Sequence, residues 1–172
     1  LVGTFCDISS IVTPRTFRLL DCRKFVKEEM LVIYETKRIP KGHYASVSYP
    51  WIGVPTKSSI PIMSTFRVPQ PVGSGIEGDP ISTEVLQLAC TVALRHEAKF
   101  LWVDRLCVSQ LDTRDKRWQI HQMCDVYKHC RICIVLPGGL QRLTDISEET
   151  SWMMRMWTLQ EAIVPPLAEV LY

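Results

Sequence analysis

The run KFLWVDRLCVSQ, Lys99 to Gln110, constrains the fold more than any other stretch of the sequence. Phe100 to Val103 are continuously apolar, and the character then switches at once to Asp104, Arg105, Cys107, Ser109 and Gln110. A strand buried on both faces gives a short unbroken apolar run, and a polar cluster at its end marks the carboxyl edge of a sheet. Ligands in open α/β sheets sit outside the carboxyl ends of the strands, so this cluster is the first candidate site. Its other reading is local: Asp104 and Gln110 cap the next helix and close a loop.

The stretch that follows, Asp112 to Cys130, is amphipathic. Ile120, Met123, Tyr127 and Cys130 recur at helical spacing, which predicts a helix with that stripe on the sheet and with Gln119, Gln122 and Asp125 off it. Arg131 to Leu136 reads as a second buried strand, ended by Pro137-Gly138-Gly139. Tyr44 to Tyr49 reads as a third, stopped by Pro50. Between them, Asp79 as N-cap and Pro80 as first helical residue open a helix to about Arg95, with Val85, Leu88, Ala89, Val92 and Leu94 on its apolar side. Alternating strands and helices predict an α/β fold with a mainly parallel sheet and helices on both faces. Thr16 to Leu20 and Met30 to Thr36 add an N-terminal strand pair, in its simplest form a hairpin. A last helix covers Trp152 to Val164, and Leu167 to Tyr172 returns as an edge strand.

These elements form one domain over residues 1–172: N-terminal strands in 1–40 and an α/β core in 41–172, interrupted by a long irregular insertion at 55–80. Gly73, Gly75 and Gly78 in that insertion match G-x-G-x-x-G. A dinucleotide loop needs a strand before it and a helix starting within it, whereas here Pro69, Pro71 and Pro80 flank the glycines. They read as loop. A net charge of +2 with scattered Lys and Arg calls for no nucleic-acid partner. No apolar run approaches the roughly 20 residues of a membrane span, and no basic start with a long apolar core reads as a secretory signal. Seven cysteines, an odd number placed mostly in apolar patterns, read as reduced thiols in a cytoplasmic protein. Cys130 and Cys133 form a single C-x-x-C with no second pair to complete a zinc site, so no metal ligands are assigned.

Several side chains point to chemistry. Ser48, Tyr49 and Trp51 stand at the carboxyl end of the Tyr44 strand, where they reach the same crevice as Asp104; the plain alternative for the rings is an aromatic lid over the core. Trp157 and Glu161 are four apart and share a helical face, with Arg155 close by. A carboxylate on a mainly apolar helix is either paired with Arg or functional, and the pattern alone favours pairing. A cysteine hydrolase using Cys107 with His96 or His121 is a weaker option, because no third orienting residue is indicated.

Three ordered islands together resemble the fungal heterokaryon incompatibility (HET) domain: YASVSYPWIG at Tyr44 to Gly53, FLWVDRLCVSQ with the following QIHQMCDVY, and RMWTLQEA at Arg155 to Ala162. The sequence departs from the family pattern where Ile52 displaces the glycine to Gly53, where Ser46 replaces Ala and where Ser109 replaces a frequent Asp. The resemblance implies a role in non-self recognition and cell death of the innate-immunity type. HET domains have been likened in turn to TIR domains, which share a flavodoxin-like three-layer α/β sandwich and in many cases cleave NAD+ between nicotinamide and ribose. TIR enzymes carry the catalytic Glu in a Trp-x-x-x-Glu arrangement, the spacing of Trp157 and Glu161. On this resemblance Glu161 is the candidate catalytic residue and NAD+ the candidate substrate, with no other cofactor. Tyr49 or Trp51 would stack on a ring, Asp104 and Gln110 would bond sugar or adenine, Ser48 and Trp157 would line the site, and Arg105 and Arg155 would face the pyrophosphate. The alternative is a non-catalytic module that signals by self-association or by binding an upstream sensor protein.

Overall fold

A computed structural model of the chain describes residues 5–55, 64–69, 79–156 and 158–172. Its centre is a six-stranded sheet of order β2-β1-β6-β3-β7-β8. β3 (Tyr44–Ser48) runs parallel to β6 (Phe100–Trp102) on one side and to β7 (Ile132–Val135) on the other, and β8 (Ala168–Val170) extends the parallel part beyond β7. β1 (Phe17–Asp21) joins β6 antiparallel, and β2 (Ile33–Thr36) pairs antiparallel with β1 at the edge. β3, β7 and most of β6 are buried on both faces, β6 and β7 as unbroken apolar runs and β3 with the small residues Ala45, Ser46 and Ser48 beside Tyr44 and Val47.

The helices lie on both faces of the sheet. α1 (Cys22–Glu28) packs on α2 (Thr83–Arg95), while α4 (Thr113–His129) packs with α5 (Thr158–Ile163). Tyr44 Oη reaches Val126 O in α4 at 2.5 Å, and Trp102 meets the Tyr127 ring edge-on. The α4 face therefore holds Tyr44, Ser46, Ser48 and Trp102, alternate positions of β3 and the β6 residue paired with Ser46.

The chain leaves β3 towards α2 and leaves β6 through a short helix, α3 (Asp104–Cys107), towards α4. Connections from two adjacent parallel strands thus depart to opposite faces, which opens a crevice between their carboxyl ends. The candidate site forms there.

Four expectations need correction. The N-terminal strands are not a hairpin. Asp21 accepts from Lys24 N at 2.9 Å and caps α1 between them, with Cys22 and Phe25 buried one turn apart. α2 starts later than expected: Ser82 is its N-cap, Ile81–Ser82 (β5) pairs with Thr65–Phe66 (β4), and Asp79 is engaged elsewhere. The insertion therefore contributes a strand, while residues 56–63 and 70–78, including Gly73, Gly75 and Gly78, lie outside the described residues. The last helix is broken: Trp152–Met154 is one 3-10 turn, Arg155 is extended, and α5 begins at Thr158. Finally, the buried face of α4 is Asp115, Gln119, Val126 and Tyr127, while Ile120 is exposed. Gln119 is held inside by its Nε2, which donates to Thr16 O at 2.8 Å and so pairs the amide's donor end.

Candidate functional site

Asp104 is the hub of the crevice. One carboxylate oxygen accepts from Tyr49 Oη and from the Arg105 backbone N–H, and the other accepts from Trp51 Nε1 at 2.8 Å. Its backbone carbonyl accepts from Gln110 Nε2 at 3.2 Å, and the same nitrogen also reaches Val108 O at 3.1 Å. Loop closure, the local reading of Gln110, is thus present. Asp104 is not a cap, since the N-cap of α3 is Val103 and that of α4 is Asp112; its side chain ties the end of β6 to the loop after β3.

That loop is held from behind. Gly53 N–H donates to Asp79 Oδ2 at 2.7 Å, Asp79 N–H donates to Trp51 O at 3.0 Å, and Arg105 Nη1 donates to Asp79 O. Gly53 also presses on the loop after β7, where a Cβ would stand 1.9 Å from Gly138 O. The displaced glycine of the first island is therefore required for a close backbone approach.

Glu161 enters from the other side. Ser48 Oγ donates to its Oε2 at 2.5 Å and accepts from Trp152 Nε1 at 2.8 Å. Arg155 grips the same carboxylate with Nη1 at 2.9 Å and Nη2 at 3.3 Å. Burial pushes the Glu161 carboxyl above the usual glutamate range; the Ser48 hydrogen bond and the Arg155 charge pull it back, and the charge of Asp104 adds to the rise. The net effect is upward, so burial outweighs a bidentate arginine.

A cleft of about 320 Å³ joins these groups, lined by Trp51, Asp104, Val108, Gln110, Lys116, Ile120, Met123, Arg155 and Glu161. Five of the residues named from sequence line it: Trp51, Asp104, Gln110, Arg155 and Glu161. Ser48, Tyr49 and Arg105 do not. They are at most 2% exposed and stand behind the wall, where they hold Glu161, Asp104 and Asp79. Tyr49 is thus in no position to stack on a ring, nor Arg105 to face a pyrophosphate; burial and the Asp104 charge also push the Tyr49 hydroxyl well above the usual tyrosine range. Trp157 lies outside the described residues.

Sequence reasoning missed Lys116, whose ammonium sits 5.5 Å from the centre of the Trp51 ring. It also missed Trp152, which orients Ser48, and assigned Asp79 to a helix cap. Of the apolar stripe Ile120, Met123, Tyr127 and Cys130, the last two are buried against the sheet as expected, while Ile120 and Met123 line the cleft.

The cysteine alternatives fare differently. Cys107 is buried, its thiol pushed up to about 12 by desolvation, with its Sγ 3.9 Å from Leu101 O. His96 instead meets Glu169 at 2.7 Å. Such a thiol supplies no thiolate nucleophile near neutral pH. Cys130 and Cys133 are buried free cysteines, and among the described residues no group of three or more His, Cys, Asp or Glu is arranged to hold a metal.

A family model described as "Heterokaryon incompatibility protein (HET)" matches residues 44–145, more than half of the chain. The chain belongs to the HET family. Membership gives it a role in heterokaryon incompatibility and the associated cell death. The HET match spans β3 to the loop after β7, so it includes Tyr49, Trp51, Asp104 and Gln110 and stops before Arg155 and Glu161. No curated protein and no solved structure matches the chain. Among the described residues of this HET domain, no helix is long and apolar enough to cross a membrane.

Proposed function

We infer that this HET domain is a cell-death effector that hydrolyses NAD+ at the nicotinamide-ribose bond. The observation that carries the reading is the Glu161 carboxylate, buried and clamped by Ser48 and Arg155, in the wall of a cleft shared with Trp51, Asp104 and Gln110. The Trp157–Glu161 spacing, similar to that of TIR enzymes, supports it by analogy. A volume of about 320 Å³ is at the small end of ligand sites and suits the nicotinamide riboside half of the dinucleotide.

The chemistry follows from the charges. As the N-glycosidic bond breaks, its electron pair leaves with nicotinamide, which becomes neutral, and positive oxocarbenium character builds on the ribose. Glu161 supplies a fixed negative charge beside that ribose and stabilises the transition state. A water oxygen then bonds to the anomeric carbon and its proton passes to solvent, leaving ADP-ribose. Trp51 offers a ring face in the cleft, and Ser48 with Trp152 holds Glu161 in one rotamer.

A second reading, a non-catalytic module acting by self-association or sensor binding, draws on Met153, Met154, Met156 and Ile163, all at least 70% exposed and close to Glu161 in sequence. Incubating the purified chain with NAD+ and following free nicotinamide separates the two: accumulation supports the enzyme, and none at any protein concentration favours the module.

A further inference from the structure

Gln110 is 4% exposed and stands in the cleft wall. Its Nε2 donates to the carbonyls of Asp104 and Val108. Carbonyls only accept, so the amide orientation is fixed: the flipped form would set Oε1 against two acceptors. Oε1 is consequently a buried acceptor with no hydrogen-bond partner among the described residues. Buried polar atoms are nearly always paired, and this acceptor, covered in the structure beside the cleft, is one that a ligand gains by uncovering and supplying with a donor.

A second observation concerns the shape and charge of that ligand. Trp51 hangs on Asp104 Oδ2 as Gln110 hangs on Asp104 O, so one residue sets both. The Trp51 face already accommodates the positive charge of Lys116. A planar cation that takes the place of the Lys116 ammonium suits the same face through stacking and cation–π attraction.

We propose that Gln110 is the specificity residue of the cleft, its Oε1 accepting an N–H of the carboxamide on a pyridinium ring that lies against Trp51. This rests on the NAD+ reading and adds to it which end of the dinucleotide enters and what selects it. An analogue with the amide nitrogen replaced by methyl keeps charge, ring and carbonyl and leaves Oε1 without its donor. A site that pairs a buried group with the right ligand rejects the analogue that lacks the partner.

The test compares dissociation constants of the intact wild-type chain for NAD+ and for its 3-acetylpyridine analogue, measured by NMR titration at low temperature, before turnover matters. NAD+ is expected to bind on the order of ten- to a hundredfold tighter. Gln110→Leu, checked for folding by its melting curve, is expected to bring the ratio close to one; should that variant not fold, the wild-type pair alone decides. Equal wild-type affinities overturn the role of Gln110 while leaving NAD+ as ligand. A ratio that persists in folded Gln110→Leu also overturns it. Binding of neither compound overturns both this proposal and the NAD+ reading.

Discussion

Arg155 holds Glu161 by both of its terminal nitrogens, 2.9 and 3.3 Å from the two carboxylate oxygens, yet the Glu161 carboxyl still titrates above the usual glutamate range. The pair is asymmetric in burial: the Glu161 side chain is 3% exposed and that of Arg155 22%. Desolvation falls on the carboxylate, while the guanidinium keeps part of its water and so delivers less than a fully buried partner.

The pH dependence of this pair follows from its direction of shift. A carboxyl whose folded pKa is raised contributes stability that is complete below its unfolded pKa and is lost as pH rises through the folded one. Glu161→Gln is therefore expected to gain melting temperature relative to wild type as pH rises through that window. Arg155→Gln removes the neighbouring positive charge and should shift the Glu161 titration further up, read directly from the side-chain carboxyl carbon by NMR. A downward shift in Arg155→Gln would contradict the account.

Asp115 tests the other buried ion pair. It accepts from Arg18 and from Ser109 N–H, and Arg18 Nε also donates to Cys107 O at 2.6 Å, so one arginine fixes β1, α3 and the start of α4. Asp115→Asn leaves a buried guanidinium without its main counter-charge and should lower stability by about 3 to 5 kcal/mol. Glu35 meets the same arginine at 3.4 Å from a more open position, so Glu35→Gln should stay within about 1 kcal/mol. Urea midpoints with unchanged slopes would measure both.

Gly53→Ala is expected to displace the loop that carries Trp51. The new Cβ would meet backbone at Gly138, which no side-chain rotation relieves. A loss of about 1 to 3 kcal/mol should result, together with a change in the Trp51 indole N–H resonance as its bond to Asp104 lengthens. An unchanged resonance would show that the loop is not set by this contact.

How much of this was legible in the sequence depended on range. β6 and β7 announce themselves because burial on both faces leaves no polar position inside the run, β3 by its small and β-branched residues with only Ser46 and Ser48 polar, and Pro50 and Pro137 mark the ends of β3 and β7. The crevice was legible from the same cause, since the abrupt change at Asp104 marks where β6 leaves the core. α1 had a readable signal in the Asp21 cap and the Cys22–Phe25 pair, but its four charged positions disguised it as a loop. The inward face of α4 was legible at Tyr127 but not in its first half: Asp115 and Gln119 are buried where Arg18 and Thr16, about a hundred residues earlier, supply partners. Nor was it legible that Tyr49 and Arg105 stand behind the cleft wall, because sequence places a residue at a strand end without saying which neighbour its tip reaches.

The most direct measurement of the central claim is nicotinamide release from NAD+ by wild type and by Glu161→Gln side by side, with melting curves of the same samples. The account predicts turnover by wild type, a loss on the order of a hundredfold or more in the variant, and a melting temperature that does not fall. Equal turnover by both proteins would remove Glu161 from the chemistry, and no turnover by wild type would contradict the enzymatic reading altogether.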